Sequence, residues 1–471
     1  MTNMICHVMK KEILENLLSL RFVLSFLLVI ALFAVSGFVF VNQYKQQLND
    51  YRNHTNKEAS VFRECAGSLS NLAFRQQSIL RKPKTLRFCA DGFEQSLPNL
   101  FKINVFKIEY PEVKSPTNFL LGHFINIDWV FIFSLIFSFV GLIFTYDTIC
   151  GEKEAGTLRL MIAASINRHK ILLGKYIGVM LTLGIPLFLG LLINLLIVVS
   201  SKNVMISASD WLKIFTILLL SFLYLSVFVL LGMFVSSRTA YSTNSMVILL
   251  LLWAGFVILT PGLGRIFSTA SGEIPSRPEL TRKIREAEDR IWANREKYAT
   301  DASILDDQGR YFNPKDTARF YNAITELRNR LFEGYINQII AQANTGRRFI
   351  QISPAAIYQS ASETIVGTGV NRFWNLYQQL KRYQKNLKEF VISTDQLDPD
   401  SHHALFDRQG DGRPYISQQP VDFNTVPRFQ EQQLTLGQSL KLAIWDVGLL
   451  VLFNMAFFTA AFASFLKYDV R

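Results

Sequence analysis

Six apolar stretches, each about 20 residues long and nearly free of charge, limit what this 471-residue chain can fold into. They cover residues 22–41, 127–146, 176–199, 212–235, 244–263 and 443–466. A helix of about 20 mainly apolar residues crosses the hydrocarbon core of a bilayer. Helices of that length in a soluble core keep a polar face, and these do not. Charged residues make up 18% of the chain and hydrophobic ones 50%, whereas an ordinary soluble domain is about a quarter charged. A soluble enzyme, a disordered tail and a fibrous protein are thereby excluded. Asp128, Lys213 and Asp446 sit at span ends, where a charged side chain can snorkel to water. The first stretch has no small-residue cleavage site and reads as a permanent anchor.

Lys and Arg in short loops set the orientation. Lys10, Lys11, Arg21, Lys153, Arg159, Arg168, Lys170, Lys175, Arg238, Lys467 and Arg471 fall on one side. The one short loop on the other side, 200–211, holds Lys202 alone. Both termini are therefore expected in the cytoplasm of a bacterial cell, with the chain multi-pass in the inner membrane. The long segments 42–126 and 264–441 are expected outside. The fold class that follows is an all-α membrane protein: six transmembrane helices with a mainly helical extracytoplasmic domain formed by two insertions. The net charge of +12 needs no nucleic-acid partner. Cys6 and Cys150 fall on the cytoplasmic side. Cys65 and Cys89 fall together in the first outer segment, where a disulfide is expected, the alternative being two separate buried thiols.

Local signals divide the outer segments. Residues 43–64 can extend the first span as a helix. Phe101, Ile103 and Val105 alternate with Lys102 and Asn104, a strand pattern. Leu280, Ile284, Ala287, Ile291 and Tyr298 recur at helical steps among charges. Asn313-Pro314 is an N-cap followed by proline at the first helical position, and its helix carries Phe320, Ile324, Leu327, Leu331, Tyr335 and Ile339. Ser353-Pro354 opens another helix, which Gly367 ends. A fourth carries Phe373, Leu376, Tyr377, Leu380, Tyr383 and Leu387. Residues 393–428 turn loop-like.

Catalytic signatures are missing. There is no G-x-x-x-x-G-K-[ST] phosphate cradle, no H-E-x-x-H and no C-x-x-C. No metal is expected; the weak candidates are His402 and His403, near Asp407 and Asp411. The polar groups inside the spans, Asn194, Asn454, Ser134, Ser138, Ser221 and Ser226, are of the kind that bonds helix to helix.

The connection after the second span, residues 147–175, is the most informative. It contains Gly151-Glu152-Lys153-Glu154-Ala155-Gly156-Thr157-Leu158-Arg159, later Arg168 and Leu173-Gly174-Lys175. This reads as a short charged helix, a glycine break and an apolar knob of Leu158, Leu160 and Met161, suited to docking in a groove of a cytoplasmic partner. Before the first span, Ile13, Leu17 and Leu20 face away from Lys11, Glu12 and Glu15, so residues 1–21 are expected as an interfacial helix.

These residues resemble the type-two ABC exporter permeases, and in particular the permease component linked to multicopper-enzyme maturation. Ser353-Pro-Ala-Ala, Gly367-Thr368-Gly369 and the ending Phe465-Leu-Lys-Tyr-Asp-Val-Arg471 resemble a subgroup with an enlarged extracytoplasmic domain. The resemblance implies an elbow helix before the first span, a coupling loop at 147–175 and a tail at 467–471. It implies a transmembrane permease that couples ATP hydrolysis in a separate cytoplasmic ATPase dimer to outward movement of a substrate or force. A second permease protomer, identical or similar, completes the transporter. The chain itself is not an enzyme and holds no cofactor; ATP and Mg belong to the partner ATPase. Glu152, Gly156, Thr157, Leu158 and Arg159 are expected at the coupling contact. The alternative is a membrane-anchored scaffold whose outer helical domain binds a periplasmic partner without transport.

Overall fold

The computed structural model describes residues 2–92, 99–109, 127–163, 167–263, 276–298, 313–408 and 410–467. Parts of both insertions, residues 164–166 of the expected coupling loop and the last four residues of the C-terminal motif lie outside the described residues.

The chain begins with α1 (Thr2–Leu17), followed by α2 (Leu20–Cys65). Ser19 breaks the two apart and caps α2, its Oγ accepting from the Phe22 amide at 3.2 Å. α2 runs on without interruption for 46 residues, so the apolar anchor and its polar extension are one rod. After it come α3 (Leu69–Phe74) and three short strands, β1 (Gln77–Leu80), β2 (Leu100–Ile103) and β3 (Ile108–Glu109), in an antiparallel sheet of order β1-β2-β3. The alternation at Phe101 and Ile103 is thus a strand whose apolar residues are both fully buried.

Among the described residues five helices are long and apolar enough to cross a membrane: α2, α7 (Arg168–Val199), α8 (Ala208–Arg238), α9 (Ser242–Leu263) and α14 (Leu436–Leu466). The sixth expected span is shorter. The apolar helix α4 (Trp129–Ile143) covers about 22 Å at 1.5 Å per residue, and its middle, Ile132–Phe137, is π-helical. α9 has the same feature at Ala254–Leu259. Such segments often mark functional positions in membrane helices. Trp129 is the first residue of α4. It is fully buried, and its indole donates to Asn194 Oδ1 at 3.0 Å on α7.

The span-end charges do not snorkel. Asp128 caps α4, accepting from the amides of Phe131 and Asp91, both at 2.7 Å. Lys213 is buried and donates to the Leu434 carbonyl at 3.5 Å. Asp446, 2% exposed, pairs with Arg347 and accepts from Gln351 at 3.2 Å and Ser360 at 2.9 Å. Each carboxylate or ammonium has found a protein partner, which costs less than carrying it bare towards hydrocarbon. The mild polar groups inside the spans act between helices, as expected. Asn454 donates to Leu223 O at 3.0 Å, Ser226 bonds the Tyr176 hydroxyl at 2.7 Å, and Ser138 accepts from the Trp253 indole at 2.9 Å.

The second insertion supplies α10 (Arg277–Ala293), α11 (Pro314–Phe349), α12 (Pro354–Val366) and α13 (Val370–Asp395). Asn313 and Ser353 cap α11 and α12 through their side chains, each with proline in the first turn. Gly367 closes α12 at φ 81°, the left-handed conformation that glycine takes without strain. The two insertions share cores. Phe62, Leu69, Val105, Tyr383 and Leu387 form one cluster, and Phe101, Ile103, Phe373, Leu376 and Leu380 another.

α12 departs from its expected place with the outer helices. Ile357, Tyr358, Ala361 and Ile365 belong to the same core as the spans. Tyr358 stacks on Tyr224 of α8 with ring centroids 4.6 Å apart and bonds the Ser221 hydroxyl at 2.7 Å. Ser353 donates to the Phe256 carbonyl in the π-helical part of α9. α12 is a wedge between the spans.

Cys65 and Cys89 are not bridged; all four cysteines are free. The ring beside Cys89, that of Phe88, lies 5.2 Å from Phe40, midway along α2. Cys65 ends the same helix, about 37 Å further along at 1.5 Å per residue. A disulfide needs Cα atoms within about 7 Å.

Candidate coupling site

The segment between α4 and α7 holds two short helices, α5 (Cys150–Glu154) and α6 (Thr157–Ala163), separated by Gly156 at φ 73°. Any side chain at that φ is strained. The glycine therefore sets the angle at which α6 leaves α5, and it faces open space.

The three consecutive charges of α5 reach three different helices. Glu152 Oε1 lies 3.0 Å from Lys175 Nζ on α7. Lys153 Nζ donates to the carbonyls of Ser237, at 2.6 Å, and Thr239, at 3.1 Å, where α8 ends. A cation there satisfies the open carbonyls and the negative helix end. Glu154 accepts from the amide of Ser242 at 3.0 Å and from its hydroxyl at 2.5 Å, at the start of α9. Those two bonds at a helix N-terminus hold the Glu154 carboxyl below the usual carboxylate range. Two further ties flank the run. Arg21 of α2 donates to Asp147 Oδ2 at 2.8 Å and to the Tyr146 hydroxyl at 2.7 Å. The Ser236 hydroxyl accepts from the amides of Ile149 and Cys150, at 3.0 and 3.1 Å.

The N-terminal helix α1 closes the same site. α1 lies against α7, where Gly174 and Gly178 give it room: an added Cβ would stand 2.9 Å from Val8 and 2.8 Å from Glu12. Small residues four apart allow this close approach of two helices. Glu12 then reaches Lys175 at 3.0 Å. The ammonium, 3% exposed, is shared by Glu12 and Glu152, and Lys11 stands 3.5 Å from Glu152 on the outer flank. Burial pushes the Glu12 carboxyl above the usual range, with Lys175 pulling the other way.

Of the residues expected at the contact, Gly156, Thr157 and Arg159 are exposed and share the tip of the hairpin. Thr157 Oγ1 donates back to the Glu152 carbonyl at 3.4 Å. Glu152 points inward to Lys175. Leu158 is fully buried and packs into the core of the spans, so it anchors α6 and presents no surface to a partner. The exposed apolar side chain of the tip is Leu160, 72% accessible. Sequence reasoning missed the partners Glu12, Lys175 and Ser242, which lie far from α5 in the chain. Helix phase counted from Gly156 would have separated Leu158 from Leu160.

His402 and His403 do not converge with other ligands. His403 Nδ1 lies 3.1 Å from Asp395, the His402 ring packs 5.8 Å from that of Tyr415, and Asp411 faces Arg408. Among the described residues no three His, Cys, Asp or Glu side chains group as metal ligands.

The chain is 41% identical over 51 residues to a probable ABC transporter permease protein, NosY, of Stutzerimonas stutzeri. That match covers 11% of this chain and 18% of the relative's length. The family described as ABC-2 family transporter protein matches residues 6–470, nearly the whole length, from α1 through all five long apolar helices. The chain therefore belongs to the ABC-2 family of transporter proteins, as a multi-pass membrane subunit of an ABC transporter.

Proposed function

We propose that this subunit converts ATP-driven movement of a separate cytoplasmic ATPase dimer into a tilt of its own spans, moving a substrate or a force outward across the inner membrane. The observation that carries this reading is the wiring of α5. Glu152, Lys153 and Glu154 attach one short helix to α7, to the end of α8 and to the start of α9. A push on α6 is thus delivered to three spans at once. The exposed tip, Thr157, Arg159 and Leu160, is the contact surface, with Arg159 for an acidic rim and Leu160 for an apolar groove on the ATPase. A cluster of packed charges with two discrete arrangements is the kind of element that a nucleotide can bias.

ATP and Mg are bound by the partner in this reading, and the permease works as a pair with a second protomer. α9 supports the pairing: its apolar side chains Val247, Ile248 and Leu251 are exposed. In this reading both termini face the cytoplasm and the insertions form an extracytoplasmic domain; the Lys175 cluster joins α1 to α5, and Arg168 at the start of α7 donates to the Leu466 carbonyl at the end of α14, which supports one side for both ends. The experiment is coexpression with the ATPase of the same cell. Leu160→Asp with Arg159→Glu should abolish copurification or coupled ATP turnover. Retention of both would reject the coupling assignment.

A further inference from the structure

A cavity of ≈ 670 Å³ lies in the insertion domain between the distal part of α2, strand β1 and the extended segment 428–433. Its size suits a short peptide or a drug-sized molecule, and nothing in the coupling scheme uses it. Three features define what it would hold.

The first is backbone. β1 is the edge of its sheet, paired only with β2. Arg81 N donates to Asn99 O at 2.8 Å, in register with the Ile79–Phe101 and Gln77–Ile103 pairs. Strand alternation then turns the amides and carbonyls of Ser78 and Leu80 away from β2, towards the cavity. The Ser78 amide meets Glu58 Oε2 of α2 at 3.2 Å. Among the described residues no partner meets the Leu80 amide. The second is a buried amide. Gln77 is 9% exposed and lines the cavity; its Oε1 accepts from the Tyr383 hydroxyl at 2.6 Å, while its Nε2 has no partner. A buried donor left unmade is costly. The third is charge. Arg63, Lys82 and Arg428 line the cavity. Its two carboxylates are already matched from outside: Glu58 by Arg75 at 3.7 Å and Glu431 by Arg372 at 2.9 Å. The positive rim therefore stands in excess, above walls made of Phe101, Phe423 and Phe429.

We infer that this cavity receives an extended acidic segment of a partner protein, which pairs along the part of the β1 edge that lies beyond the Glu58–Ser78 contact, at Leu80, and lays alternate apolar side chains on the phenylalanines. Main-chain bonds to the Ser78 carbonyl and to Leu80 supply register, and the arginines and Lys82 receive the carboxylates. The inference rests on the extracytoplasmic placement proposed above for this domain, which gives the partner access. It does not depend on coupling to an ATPase.

The test uses the full-length permease in nanodiscs without nucleotide. The probe is a fluorescein-labelled eight-residue peptide alternating valine with glutamate, read by anisotropy. Saturable binding is expected. It should weaken at least tenfold when alternate peptide nitrogens are methylated, when lysine replaces glutamate, and in the variants Leu80→Pro and Arg428→Glu. Proline at Leu80 removes the outward amide and spares the bonds to β2, so its apparent melting temperature should match that of the unaltered protein. Absence of binding, equal binding of the methylated peptide, or equal binding of the lysine peptide would overturn the inference. Because no ATPase is present, such a failure would leave the coupling reading standing.

Discussion

Lys175 Nζ lies 3.0 Å from Glu152 Oε1, joining α7 to the helix that begins the coupling hairpin. Glu12 is the second carboxylate on the same ammonium. Removing the cation leaves two carboxylates facing each other out of water. Breaking a buried charge cluster by deleting one partner typically costs about 3–5 kcal/mol. Lys175→Met should lower the apparent melting temperature strongly. Adding Glu12→Gln and Glu152→Gln to it should recover much of the loss. Equal melting temperatures for the single and triple variants would show that the three groups are not coupled.

Gly156 makes a separate prediction. Its φ of 73° strains any side chain, and proline is fixed near –65°. Gly156→Ala should cost about 1–2 kcal/mol, confined to the hairpin. Gly156→Pro should re-aim α6, leaving the protein folded by thermal melting but uncoupled from ATP turnover. An uncoupled and unfolded Gly156→Pro protein would refute the claim that the glycine only sets an angle.

The wedge helix α12 tests how tightly the insertion domain is built into the spans. Tyr358→Phe deletes only the hydroxyl bond to Ser221, a loss of about 1 kcal/mol. Tyr358→Ala removes a fully buried ring stacked on Tyr224, for which about 3–5 kcal/mol is expected. If α12 belonged with the outer helices alone, Tyr358→Ala would loosen that domain and leave hydrogen exchange in α8 unchanged. Faster exchange in α8 is predicted.

Glu363 gives a pH dependence. It lies at the end of α12, where burial raises its carboxyl to about 7. Arg347 and the Gln359 amide favour the charged form, while Asp91 and Asp446 oppose it. A carboxyl raised in the folded state contributes stability that is fully present below its ordinary value of 4.5. That contribution is lost as pH rises through about 7. Glu363→Gln should therefore raise the apparent melting temperature at pH 8 and change it little at pH 5. An equal effect at both values would place the ionised form in the fold at both.

Much of this architecture was legible from sequence where local chemistry decides it. Asn313-Pro314, Ser353-Pro354 and Gly367 bound helices where their capping chemistry says they should. What a helix packs against is another matter. The apolar face of α12 is the same whether it meets the insertion domain or the spans, so its seat beside Tyr224 could not be read. The apolar block at 127–146 likewise does not reveal that Asp128 caps it and that its helix turns π-helical at Ile132. Cys65 and Cys89 share a segment, yet the unbroken rod of α2 carries one of them far from the other. In the hairpin proposed for coupling, the motif does not separate the buried side chain from the exposed one, because helix phase divides them: Leu158 faces in and Leu160 faces out.

The cysteines can be checked directly. Cys65 is partly exposed at the end of α2 and Cys89 is buried. A maleimide should label Cys65 in the folded protein and reach Cys89 only after denaturation, and reduction beforehand should change neither result. Reduction-dependent labelling of both would restore the disulfide.

The measurement closest to the central claim is site-specific cross-linking from the hairpin tip. A photoreactive residue at position 160 should join the permease to a soluble ATPase bearing a phosphate-binding loop, with a yield that changes between nucleotide-free and ATP-bound states. The same probe at position 158 should stay within the permease. An ATPase cross-link from 158 but not from 160, or none from either in an active complex, would contradict the account.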